Sequence, residues 1–129
     1  MEKKIIKTDK APLPIGSYNQ AVVVNGLIFT AGQIAIDPST GKLIESSFKD
    51  RVNQVFDNLE NILMAAGSDL PHVVKFTVFL TNLENYADVN EVFNGRLDEG
   101  LAPARSLVEV SALPAGTDIE IECVAIVNE

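Results

Sequence analysis

The sequence predicts an α+β fold: a six-stranded sheet with two helices over one face. Three observations predict it. Segments near both ends of the chain alternate with a period of two, Val73-Val74-Lys75-Phe76-Thr77-Val78-Phe79-Leu80 is a run of β-branched and aromatic residues, and two longer stretches repeat apolar residues at three- and four-residue steps. The clearest alternation is in Pro103-Ala104-Arg105-Ser106-Leu107-Val108-Glu109-Val110 and Asp118-Ile119-Glu120-Ile121-Glu122. Successive strand side chains point to opposite faces, so Arg105, Leu107 and Glu109 share one side, and Glu120, Glu122, Val124 and Ile126 share one side. Ionic groups held in rigid strands beside apolar neighbours are costly unless something pairs with them.

A first strand is expected near Lys3 to Lys7. Asn25-Gly26 separates Ala21-Val22-Val23-Val24 from Leu27-Ile28-Phe29-Thr30, and Asn-Gly accepts the positive backbone angles of a type I′ turn, which predicts a hairpin. Asp37-Pro38-Ser39-Thr40-Gly41 reads as a loop leading out of the second hairpin strand; with one glycine it makes a poor phosphate-binding loop. Between Ser47 and Ala66, Phe48, Val52, Val55, Phe56, Leu59, Ile62, Leu63 and Ala66 form one helical stripe, capped by Ser46 or Ser47 and ended by Gly67. The run from Val73 to Leu80 is a mostly buried strand. Thr81-Asn82-Leu83-Glu84 has capping-box spacing and opens a second helix, with Tyr86, Val89, Val92, Phe93 and Leu97 as its apolar face. Gly95 costs about 1 kcal/mol relative to Ala there, which predicts an early end.

Two helices can cover only one face of such a sheet. Ile119, Ile121, Cys123 and Ala125 are the plainly apolar set of the last strand and are assigned to the helix-covered core. Glu120 and Glu122 then belong to the opposite face, where the partly apolar content predicts self-assembly and a cleft between subunits.

With 129 residues, 47% hydrophobic and 22% charged, one soluble domain over 1–129 is expected. No apolar run approaches the roughly 18 residues that span a membrane. The start leads into no signal-peptide core, so the cytosol is the expected location. A net charge of −8 repels phosphate backbones, and the scattered Lys3, Lys4, Lys7 and Lys10 make no basic patch, which argues against nucleic acid as a partner. His72 has no second histidine with which to hold a metal, the lone Cys123 reads as a small buried hydrophobe, and Ser106 lacks a histidine partner for nucleophilic chemistry.

Taken in order, Ile15-Gly16-Ser17-Tyr18-Asn19-Gln20, Ala31-Gly32-Gln33-Ile34, Asp57-Asn58-Leu59, Ala65-Ala66-Gly67, the run from Val74 to Leu80, Pro103-Ala104-Arg105-Ser106 and Glu120-Ile121-Glu122 resemble the RidA/YjgF family over essentially the whole chain. The Pro-Ala-Arg-Ser segment with the later Glu-x-Glu strand is the specific part. The resemblance implies a chorismate-mutase-like (bacillary type) fold with a mixed sheet, and a homotrimer whose sheets form a central barrel with clefts between subunits. It also implies cofactor-independent hydrolysis of reactive 2-enamine and 2-imine acids to 2-oxo acids and ammonia. By the same resemblance Arg105 grips the substrate carboxylate, Glu120 positions water, Tyr18 and Gly32 line the pocket, and Asn90 lies near it. Leu107 stands where many members have cysteine, Ala31 where many have serine and Ser17 where many have proline. Backbone groups at Leu107 remain able to hold the substrate nitrogen. The stretch between Asn90 and Arg105 is about two residues shorter than in familiar members, which alters the pocket rim.

The chemistry suits those residue types. A guanidinium presents a planar fork of donors that matches a carboxylate with two parallel hydrogen bonds. A carboxylate shielded in a cleft serves as general base and then acid, an effect of about 10²–10⁴-fold. From pattern alone Arg105 could equally form an interface ion pair with Glu109, Glu120 or Glu122, and Tyr18 could be an ordinary strand residue. Gly32 could mark only a bulge or a close backbone contact. Two other functions stand beside the deaminase: the endoribonuclease or translation-inhibitor activity in the family's older naming, and a non-enzymatic, chaperone-like or carboxylate-binding trimer.

Overall fold

A computed structural model describes residues 2–128. Its main sheet has six strands in the order β1 (Lys4–Ile6), β2 (Ala21–Val24), β3 (Leu27–Thr30), β8 (Ile119–Ile126), β6 (Val73–Leu80) and β7 (Ala104–Glu109). Neighbours are antiparallel except β6 and β7, which are parallel, so the sheet is mixed as expected. The crossover between those two parallel strands carries helix α2 (Tyr86–Arg96), and helix α1 (Phe48–Ala65) precedes β6. Both helices lie on one face. Phe56 of α1, Phe76 of β6 and Phe93 of α2 meet edge to face, with ring centroids 4.8 to 5.7 Å apart. Such contacts add about 0.5–1.5 kcal/mol per pair beyond the area they bury.

The apolar stripe of α1 is buried where the periodicity predicts, at Val52, Val55, Phe56, Leu59, Ile62 and Leu63. Ser47 is the cap: its Oγ accepts the Asp50 N–H at 3.0 Å, while Ser46 Oγ donates to the Asp50 carboxylate instead. The helix ends through Gly67 in the left-handed region (φ 81°), with the Gly67 and Ser68 N–H groups closing on the Met64 and Leu63 carbonyls. Arg51 then ties the start of α1 to the start of β8 through two parallel hydrogen bonds to Asp118, at 3.0 and 2.8 Å.

Four sequence expectations need revision. Thr81 does not open a capping box: Asn82 accepts the Glu84 N–H at 2.9 Å and starts a short 3₁₀ turn at Leu83–Asn85, from which α2 follows. The second helix does not stop at Gly95 but runs to Arg96, so Gly95 costs little in the final turn, and Leu97 is its cap while still packing against the core. Tyr86, assigned to the apolar face of that helix, is exposed. The Asp37–Gly41 segment is less a loop out of the hairpin than the turn of a second, two-stranded sheet, β4 (Ile36–Asp37) with β5 (Lys42–Leu43). Two-residue strands carry too little pattern to be read from sequence.

On the face away from the helices, Ile5, Leu27, Phe29, Val108 and Ile126 remain exposed, interleaved with Thr77, Glu122 and a Lys75 ammonium that donates to Ser106 Oγ at 2.7 Å.

Candidate functional site

Four of the predicted site residues line two recesses, and Asn90 and Leu107 line neither of them. The first contains Tyr18, Gly32 and Glu120, together with Leu13, Ile15 and Ile36, around a cavity of about 120 Å³. Its geometry starts from a break in the β3–β8 ladder. Phe29 pairs with Val124, but the next backbone pairing is Gln33 with Ile121, so four residues advance on one side against three on the other. This is a one-residue bulge, and Thr30 Oγ1 fills the gap by accepting the Cys123 N–H at 3.0 Å. Gly32 is thereby pressed against the Glu120 side chain. A Cβ on residue 32 would lie 2.8 Å from Glu120 Cδ and 2.9 Å from Oε2, so a side chain there would displace the carboxylate. Gly32 is both of the things its sequence context suggested, a bulge residue and a point of close approach.

Glu120 is half-buried and has no hydrogen-bond or ion-pair partner among the described residues. Burial raises its pKa above the ordinary carboxylate value, and the neighbouring Glu122, on the same face of β8, raises it further. Tyr18 is half exposed at the mouth. Behind it, fully buried Gln20 anchors the preceding segment: its side chain accepts the Thr8 N–H at 2.7 Å and donates to the Thr8 and Pro12 carbonyls, both at 2.9 Å. Asn58 does the same for the other wall, donating to the Ile34 and Ile36 carbonyls at 3.2 and 2.9 Å. Neither role was foreseen. Asn58 did leave a signal, because a polar residue between Val55 and Ile62 on the buried stripe of α1 demands a partner.

Arg105 lies in the second recess. Parallel register sets it beside Phe76, a core residue, so its side chain points to the helix-covered face. There the guanidinium stacks over the Phe93 ring at 4.9 Å and over the Tyr86 ring at 5.6 Å, with Nη2 3.4 Å from Tyr86 Oη. The adjoining cavity, about 150 Å³, is walled by Phe76, Phe93, Leu97, Ala102 and Pro103. Its rim is the segment after α2, where Asp98 accepts the Gly100 N–H and shapes a 3₁₀ turn at Glu99–Leu101. Asn90 is half-buried one helical turn beyond Tyr86 and three residues before Phe93, on the same flank of α2. Leu107 follows Arg105 on the same side of β7 and packs against the core.

None of the ion pairs open to Arg105 within the chain forms among the described residues. Glu120 and Glu122 lie on the opposite face of the sheet, and Glu109 accepts the Leu83 N–H at 3.0 Å. One chain therefore offers an unpaired carboxylate and an unpaired guanidinium on different faces. Two other reactive groups stand outside both recesses. Cys123 is buried, which pushes its thiol up to about 12, and His72 pairs with Asp69.

A helix-backed mixed sheet with an acidic recess and a cationic recess on its two faces defines a Rid-type α+β domain. The structure of a Rid family protein from Yersinia pestis superimposes with a TM-score of 0.95 at 42% identity, over 98% of this chain and 100% of that one. The chain belongs to the RidA/YjgF family, whose profile, described as "Endoribonuclease L-PSP", matches residues 8–127. A RutC family protein of Synechocystis is 47% identical over 98% of both chains. A rat protein named 2-iminobutanoate/2-iminopropanoate deaminase is 44% identical over 96% of this chain and 90% of its own length.

Proposed function

We propose that this protein hydrolyses reactive 2-enamine and 2-imine acids, such as 2-iminopropanoate and 2-iminobutanoate, to 2-oxo acids and ammonia. It does so as a homotrimer, in clefts that join the acidic recess of one copy to the cationic recess of the next. The observation that carries this reading is the division of the two half-sites. An unpaired guanidinium on an aromatic shelf suits a carboxylate, and a partly dehydrated carboxylate suits proton transfer, yet one chain keeps them apart. The deaminase name of the rat relative supports the same chemistry.

In such a cleft Arg105 fixes the substrate carboxylate with its two-pronged fork. Glu120 takes a proton from water as the water oxygen bonds to C2 of the imine and delivers it to the imine nitrogen, giving the carbinolamine. Glu120 then takes the carbinolamine hydroxyl proton as the C2=O carbonyl forms and the C–N bond breaks, and passes that proton to the departing ammonia. A raised Glu120 pKa brings it nearer the pH at which a carboxyl exchanges protons in both directions.

The test is the decay rate of enzymatically generated 2-aminoacrylate, with wild type and with Arg105→Ala. Acceleration by wild type that disappears in the variant, with assembly unchanged, is the expected result; an unchanged rate sinks the assignment. Light scattering should report three copies of the 13.9 kDa chain, about 42 kDa. Oxo-acid binding without turnover would favour a non-enzymatic carboxylate-binding protein. The family's description as an endoribonuclease supports a second reading, which requires RNA cleavage that survives repeated purification and is lost on a point change in the cleft.

A further inference from the structure

We propose that Tyr86 is a second carboxylate-binding residue, its phenolic hydroxyl donating a hydrogen bond to the same substrate carboxylate that Arg105 holds. The inference rests on the deaminase reading and adds to it a residue outside the pocket assigned from sequence. Phe93 covers one face of the guanidinium at 4.9 Å, which leaves the donor edge for a ligand. Tyr86 stands at that edge. Its Oη lies 3.4 Å from Nη2, a long contact in which the phenol oxygen accepts, so the phenolic proton stays uncommitted.

No other hydrogen bond to this hydroxyl forms among the described residues, and the side chain is 46% exposed. Two donors 3.4 Å apart are spaced so that one carboxylate oxygen can sit about 2.8 Å from each. The ring is held by its place at the start of α2, which spans Tyr86–Arg96, and by the stacked guanidinium at 5.6 Å. Fixing both donors before the ligand arrives reduces the ordering cost of binding. The arrangement reads an anionic, planar acceptor. It gives Tyr86 a reason to be exposed on a helix flank whose periodicity would place it among core residues.

The experiment is calorimetric titration of 2-oxobutanoate, a product-class probe, into wild type, Tyr86→Phe, Tyr86→Leu and Arg105→Ala, together with imine-decay kinetics on the first two. Tyr86→Phe keeps the ring and removes only the hydroxyl, and thermal melts confirm that each variant is folded. Loss of a hydrogen bond to a charged group should raise both Kd and KM about tenfold in Tyr86→Phe, with kcat little changed. Binding by Tyr86→Phe equal to wild type overturns the proposal, and does so equally if Tyr86→Leu is weakened, since the ring is then only a shelf for Arg105. Loss of binding in Arg105→Ala with Tyr86→Phe unaffected removes Tyr86 alone. Full binding by Arg105→Ala, or none by wild type, removes the carboxylate anchor and Tyr86 with it.

Discussion

Glu120 and Glu122 are two residues apart on one strand and play unequal parts because only Glu120 is drawn into a recess behind Tyr18. Burial is the larger reason that Glu120 holds its proton more tightly than an ordinary carboxyl, and the Glu122 charge is the smaller. The sign of the pH dependence follows. In the proposed mechanism Glu120 must be ionised to act as general base, so kcat/KM should fall as pH drops through its raised pKa. Glu122→Gln removes the neighbouring negative charge, lowers that pKa part of the way and moves the acidic limb to lower pH. A pH–rate profile of the variant that coincides with wild type would separate Glu122 from the chemistry. At this scale the sequence was informative about identity but not about company. Arg105 and Glu120 are both visible as charges in alternating strands, yet β7 has apolar residues on both sides, Leu107 on one and Val108 on the other, so alternation alone could not say which side meets the helices. In β8 the set Ile119, Ile121, Cys123 and Ala125 left no such ambiguity, and its predicted burial is observed.

Among the elements, the long periodic ones were legible: the hairpin turn at Asn25-Gly26, the stripe and both ends of α1, and the buried β6. What escaped was short or held by tertiary contact, namely the β4–β5 pair and the 3₁₀ entry to α2. The bulge between β3 and β8 belongs with them, because an extra residue in a ladder is defined only against the partner strand. Its consequence is steric. Gly32→Ala would drive a Cβ into Glu120 Cδ at 2.8 Å, and the carboxylate, at the end of a flexible side chain, would move before the backbone did. The expected outcome is a loss of kcat of about 10²-fold, the scale of a displaced catalytic group, with a far-ultraviolet spectrum and melting temperature close to wild type. A large fall in melting temperature with normal kcat would mean that Gly32 serves the ladder and not the carboxylate.

For the whole molecule, the telling feature is an exposed sheet face that carries Leu27, Phe29, Val108 and Ile126 with few charges between them, a surface of the kind that marks contact with another chain. If copies meet there as a ring, each cleft takes Arg105 from one chain and Glu120 from its neighbour. Arg105→Ala and Glu120→Ala proteins should then each be inactive alone but regain activity when unfolded together and refolded. Random mixing leaves about a quarter of clefts with both residues intact. Mixtures no more active than their parents would place both groups in one chain's cleft and contradict the division of the site. On the proposed reading, the placement of Arg105 and Glu120 on opposite faces of one sheet also makes the chemistry a matter of concentration. In the proposed trimer a lone chain has nothing to close upon, so specific activity should fall on dilution below the dissociation constant of the assembly and recover on concentration. A freshly synthesised copy would stay silent until it had met its neighbours, and the protein's quaternary equilibrium would act as its on-switch.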